Sequence, residues 1–133
     1  NASYQEMSFS EYLEQHTQYI DWWYKNGDSG IMNYAIPYKN VRGEQSLFYV
    51  DYVIRMKNGQ IFLFDTKSQN SDENAPNKHN ALLEYMQNDE NSGLGLKGGI
   101  LIYDHENWKY SPLPISNTDD LTGWDCFYPE QYK

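Results

Sequence analysis

The segment from Phe48 to Ser68 constrains the fold of this chain more than any other. Two apolar runs, Phe48 to Met56 and Ile61 to Phe64, flank Asn58-Gly59, with Asp51 near one outer end and Asp65-Thr66-Lys67 at the other. Runs of Val, Ile, Phe and Tyr on either side of Asn-Gly predict two antiparallel strands joined by a tight turn. An unpaired carboxylate in an apolar sheet costs several kcal/mol or moves its pKa. Asp51, Asp65 and Lys67 therefore need mutual pairing, a metal ion or a cleft.

The turn decides whether the acids meet. Alternate residues of a strand share a face, so Asp65 and Lys67 point the same way. A two-residue Asn58-Gly59 loop pairs Lys57 with Gln60, sets Asp51 opposite Thr66, and sends the two acids to opposite faces. A three-residue Lys57-Asn58-Gly59 loop, with Gly59 left-handed, pairs Met56 with Gln60 and sets Asp51 opposite Asp65. In that register two carboxylates lie roughly 5 Å apart at the backbone and repel unless a cation stands between them. The oxygen donors Asp51, Asp65 and the Thr66 carbonyl suit Mg²⁺ or Mn²⁺ with positions left open for phosphate oxygens. Lys67 is placed to orient or deprotonate a water and to offset charge growing on phosphorus. A solvated pair of strand-end acids with a Lys67 salt bridge accounts for the same spacing.

At 133 residues the chain fits one domain. A single cysteine, Cys126, excludes an intrachain disulfide and suits a reducing, cytoplasmic setting. No apolar run approaches a membrane span, and the first residues lack the order of a signal peptide. Ten basic against nineteen acidic residues give a net charge of -9, the wrong sign for a free-standing DNA binder with a broad basic face. That balance is compatible with a catalytic module carried by a larger protein. The opening Asn1-Ala2, without an initiator Met, suggests such a fragment. Thirteen Tyr, four Trp and five Phe supply a densely aromatic core.

Along the chain, Phe9, Leu13, His16 and Ile20 recur at helical spacing, predicting a helix over Ser3 to Tyr24 that Asn26-Gly27 ends. Glu6 falls on its apolar stripe, whereas Glu11 and Glu14 point away. Trp22-Trp23-Tyr24 is then a bulky helix end clamped to the sheet. Ile31 to Ile36 alternates as a strand that Pro37 closes, and Lys39 to Gln45 is a polar loop. The two runs of the hairpin follow as strands. Gln69 to Asn77 is polar, Lys78 to Gln87 is a second helix, and Gly98 to Tyr103 is a buried strand. The order is helix, three strands, helix, strand: a mixed four-stranded sheet flanked by helices, with a parallel crossover through the second helix. The core runs from about residue 5 to 103, and residues 104–133, broken by Pro112, Pro114, Gly123 and Pro129, form an irregular extension pinned by aromatics.

An acidic residue, a hairpin, then Asp-x-Lys within that order resembles the PD-(D/E)xK, or restriction-endonuclease-like, nuclease superfamily. Asp51 matches the first acid and Asp65-Thr66-Lys67 the second half, while Val50 stands where proline is customary. Glu6-x-x-Phe9-x-x-x-Leu13, Trp22-Trp23-Tyr24-Lys25-Asn26, Phe48-Tyr49-Val50-Asp51-Tyr52 and Phe64-Asp65-Thr66-Lys67 are similar to the C-terminal nuclease-like domain of type III restriction subunits and DEAD/DEAH-box helicases. The resemblance implies a Mg²⁺-dependent DNA endonuclease domain that hydrolyses phosphodiesters. Its partners are DNA, the helicase or translocase part of a parent protein, and a modification subunit. Glu6 matches the first-helix acid that completes such sites, and Lys78 a basic residue near the scissile phosphate. No Gly-Lys-Ser/Thr phosphate loop occurs, so ATP enters only through a helicase part outside this chain. The competing expectation is a catalytically silent module that keeps the fold to position the helicase or contact another subunit.

Overall fold

The structure, a computed structural model, describes residues 4–26, 35–88 and 92–133, with side chains in the first helix from Ser8 onward. It is a mixed α/β fold: a mostly antiparallel sheet and two α-helices, α1 (Tyr4–Glu14) and α2 (Ala75–Gln87). Strand β1 is Ile20–Lys25, β2 Ala35–Lys39, β3 Gln45–Tyr49, β4 Tyr52–Met56, β5 Ile61–Lys67, β6 Lys97–Asp104, β7 Asn107–Tyr110 and β8 Asp125–Cys126. The main sheet is six-stranded, in the order β1-β4-β5-β6-β7-β8, and β2 pairs with β3 in a separate ribbon. The expected count of four strands is therefore wrong. The parallel step is where expected: β6 returns beside β5 through α2, and the other neighbours are antiparallel.

The extra strands come from two places. Residues 15–19 break the helical pattern with polar residues and a 3-10 turn, after which Ile20–Lys25 pairs with β4. The Trp22-Trp23-Tyr24 run thus belongs to an edge strand, consistent with the strand preference of aromatics once a partner is available. At the other end, residues 104–133 do not merely lie against the surface. Strands β7 and β8 extend the sheet, and Trp108, Tyr110 and Phe127 enter the core. The prolines and Gly123 that read as breakers sit between β7 and β8 or just after them. Ile31 to Tyr34 lie outside the described residues. Pro37 is inside β2, paired with Leu47, at a ribbon edge where its missing N–H is tolerated.

Alternation along β4 and β5 separates the two cores. Tyr52, Ile54, Met56, Phe62 and Phe64 pack with Phe9 and Leu13 of α1, while Val53 and Leu63 pack with Leu82, Leu83 and Met86 of α2. The helices therefore cover opposite faces. Helix α2 starts earlier than Lys78, with Pro76 in its first turn, where a missing N–H costs nothing. Its buried His79 accepts a hydrogen bond from Ile100 N–H at 3.0 Å and, through Nε2, donates to the Leu113 carbonyl at 3.1 Å. Gly99 makes room for that ring, since a Cβ there would stand 2.4 Å from it.

Candidate functional site

The β4–β5 hairpin adopts the register that brings the acids together. Tyr52 pairs with Phe64 and Arg55 with Ile61. Met56 N–H donates to Gln60 O at 2.8 Å, Gly59 N–H donates to Met56 O at 2.9 Å, and Gly59 has a φ of +94°. The turn is the wider Lys57-Asn58-Gly59 loop, closed by a left-handed glycine. The apolar run from Phe48 to Met56 is not one strand. It breaks at Val50-Asp51, so Phe48 and Tyr49 pair with β2 while Tyr52 begins β4. Val50 is fully buried, and it anchors the break from which Asp51 projects.

One register step beyond Tyr52–Phe64, Asp51 stands abreast of Asp65. Its Oδ2 accepts hydrogen bonds from Thr66 N–H at 2.9 Å and Thr66 Oγ1 at 3.0 Å. Thr66 thus holds the Asp51 carboxylate through its N–H and hydroxyl. Asp65 is only 4% exposed. Burial first, then the Asp51 charge, pushes its carboxyl well above the usual range, against the pull of Lys67 and Lys78. Hydrogen bonding with the Asp51 side chain adds to that rise. A buried acid set against a half-buried one favours either a shared proton or a cation between them.

Lys67 Nζ lies 3.7 Å from Asp65 Oδ2 and 3.3 Å from Asp72 Oδ2. Burial pulls the Lys67 amine down, but Asp65 and Asp72 outweigh it and hold the amine above its ordinary value. Lys78, from the first turns of α2, reaches the same Asp72 oxygen at 2.7 Å, with the Tyr38 ring 5.7 Å from its amine. Asp72 is thus the common partner of both lysines, and sequence reasoning missed it. Burial raises its pKa, but the Lys78 hydrogen bond and the Asn74 N–H prevail and lower it. Asp72 Oδ1 accepts from Asn74 N–H just ahead of α2, so Asp72-x-Asn74-Ala75-Pro76 is legible as a helix start. Its place beside Lys67 is not.

Glu6 falls within α1, but its side chain lies outside the described residues. Among the described residues no group of three or more His, Cys, Asp or Glu converges as a metal cage. Asp51 and Asp65 nonetheless offer hard oxygen donors, one half-buried and one buried, whose repulsion a divalent cation would relieve, so the donor chemistry fits Mg²⁺ or Mn²⁺. By strand alternation Asp51, Asp65 and Lys67 share the face of Val53 and Leu63, toward α2, and a cleft of about 310 Å³ on the α1 side of the sheet is lined by Lys67 where β5 ends. No helix among the described residues is long and apolar enough to cross a membrane. No protein-family model matches the chain, and no curated protein or solved structure matches it either.

Proposed function

We propose that this chain is a divalent-metal-dependent nuclease domain with a restriction-endonuclease-like core, hydrolysing DNA phosphodiesters at Asp51, Asp65 and Lys67. One observation carries the reading: a buried Asp65 is pressed against Asp51 at the end of a hairpin, with an amine 3.7 Å away. Structural salt bridges do not require two acids in contact, and such a pair is costly to keep. Asp51, Asp65 and the Thr66 carbonyl would hold Mg²⁺ or Mn²⁺, which when bound polarises a phosphate oxygen. Thr66 fixes the Asp51 carboxylate. Lys67, held by its acidic neighbours, orients the attacking water or the phosphate and offsets negative charge growing on phosphorus. Lys78, on the same acidic latch, contacts an adjacent phosphate, and Glu6 remains the candidate accessory acid.

In this reading the domain acts within a larger cytoplasmic helicase or restriction protein, whose other parts hold the duplex, since a net charge of -9 gives this chain little hold on DNA alone. A second reading, a catalytically silent module that positions the helicase, draws on the pairing of both lysines with Asp72. Plasmid nicking in Mn²⁺ by the parent protein separates the two. The nuclease reading expects nicking that Asp65→Ala and Lys67→Ala each abolish while the fold, checked by circular dichroism, survives. Nicking indifferent to both substitutions, or none from the wild type, favours the silent module.

A further inference from the structure

The cleft on the α1 side has a composition that the acid and lysine cluster does not explain. Glu11 of α1 and Gln15 just beyond its end line it, together with Tyr103 of β6, Trp108 of β7, and Lys67 and Gln69 at and after the end of β5. Ile100, Leu101 and Ile102, the preceding residues of β6, are fully buried, yet Tyr103 is 52% exposed. Its ring is not loose. Trp108, its cross-strand partner and 2% exposed, packs against it with ring centroids 5.1 Å apart at 60°. Tyr103 therefore presents an aromatic surface at a fixed angle to the mouth of a cleft, the arrangement by which proteins stack unpaired bases.

Charge separates the parts of a possible ligand. The exposed carboxylate of Glu11 repels phosphate, while it and the Gln15 amide can accept and donate along the edge of a neutral heterocycle. Tyr12, also lining the cleft, stays a neutral phenol because burial raises its pKa to about 12, and its hydroxyl donates to the Phe127 carbonyl at 3.2 Å. Among the described lining residues the basic one is Lys67, whose amine is held by Asp65 and Asp72 at the end of β5, so phosphate belongs at that end and the base inside. A volume of about 310 Å³ suits one nucleoside and is far too small for a duplex.

We propose that this cleft binds the base of an unpaired nucleotide, stacked on Tyr103 and hydrogen-bonded along its edge by Glu11 and Gln15, with its phosphate toward Lys67. The proposal rests on the nuclease reading and gives its substrate class: DNA carrying unpaired nucleotides, at a flap, overhang or opened junction. Stacking needs no broad basic face, which reconciles nucleic-acid binding with the acidic composition.

Two measurements test this. In the first, fluorescence anisotropy with the whole chain at low salt compares a short labelled single strand of mixed sequence, the same strand with abasic sites throughout, and the blunt duplex. The single strand should bind at least about tenfold tighter than either of the others, and Tyr103→Ala should remove about tenfold of that while Tyr103→Phe retains it. Equal binding of the abasic strand, a preference for duplex, or indifference to Tyr103→Ala overturns the proposal. In the second, cleavage of a flapped duplex in Mn²⁺ by the parent protein is read for wild type, Tyr103→Ala and Asp65→Asn. Asp65-dependent cleavage without a Tyr103 effect keeps the nuclease and removes the base-binding cleft. Base-dependent binding without Asp65-dependent cleavage keeps the cleft as a nucleobase site and removes the nuclease.

Discussion

Asp51 lies one register step past the last paired residues of β4 and β5, level with Asp65, and its half-buried carboxylate acts on the buried Asp65 carboxyl as a like charge and a hydrogen-bonding neighbour, both raising its pKa. Thr66 donates twice to Asp51, so the ionised form of Asp51 is supported by the backbone while Asp65 carries the cost of proximity. The pair is an unstable arrangement by itself and a ready one for a cation.

Replacing Asp65 by Asn should stabilise the metal-free protein at neutral pH. The unfolded Asp65 ionises near 3.8, and its folded pKa is raised well above that. Over the intervening pH range the folded state keeps a proton that the unfolded state has released, so this group's contribution to stability falls as pH rises toward the folded pKa. Asn retains the shape without the charge. Thermal melts of Asp65→Asn should show a gain of about 1–2 kcal/mol at neutral pH, roughly 3–8 °C, that shrinks near pH 4. Millimolar Mn²⁺ should raise the wild-type melting temperature and leave the variant unchanged. A variant less stable than wild type at neutral pH would contradict the strained-pair account.

Asp72→Asn should release both lysines. Their shared oxygen lies 3.3 Å from Lys67 and 2.7 Å from Lys78, and neither amine is fully exposed. The loss should cost about 1 kcal/mol in stability, as expected for partly buried pairs. Single-strand affinity should rise several-fold, with the salt slope steeper by about one per lysine that gains a phosphate. Titrating binding against salt measures this; an unchanged slope would mean that the lysines do not reach the ligand.

Gly59→Ala should destabilise the hairpin by about 1–2 kcal/mol, because a Cβ is disfavoured at its φ of +94° although it would meet only the Arg55 side chain, at an ordinary 3.9 Å. Gly59→Asn, which tolerates the left-handed region better, should lose less. Urea denaturation ranks the two. Equal losses would show that the turn relaxes into another form.

His79 predicts a pH dependence of its own. Burial holds its pKa down to about 4, against 6.5 when unfolded, and outweighs the carbonyls that face it. The unfolded chain therefore takes up the proton first. Stability should fall as pH drops from about 6.5 to about 4, by about 3 kcal/mol from this group, and level off below. A ring titration of His79 by NMR that ends above pH 6 would contradict the hydrogen bonding to Ile100 and Leu113.

The legible part of the site was the part written in one hairpin. Asn58-Gly59 narrowed the turn to two forms, each with a stated consequence for Asp51 and Asp65, because strand periodicity converts a register directly into a face. Helix α2 and the parallel strand β6 were legible from periodicity and breakers. The Ile20–Lys25 strand was not, since Ile20 continues the helical stripe of Phe9, Leu13 and His16, and only pairing with β4 makes it a strand. Strands β7 and β8 were hidden for a related reason: they are short, separated by proline-rich chain, and defined by partners rather than by their own pattern.

The sequence by itself determined the hydrophobic alternation of β4 and β5, the acids and lysine at their ends, and the choice of turns that could join them. Tertiary structure decided which turn is used, how many strands the sheet has, and that Asp72 serves both Lys67 and Lys78. Local propensity acts over a few neighbouring residues. Edge pairing, burial of Asp65 and the meeting of residues far apart in the chain depend on how whole elements pack, which no short window of sequence encodes.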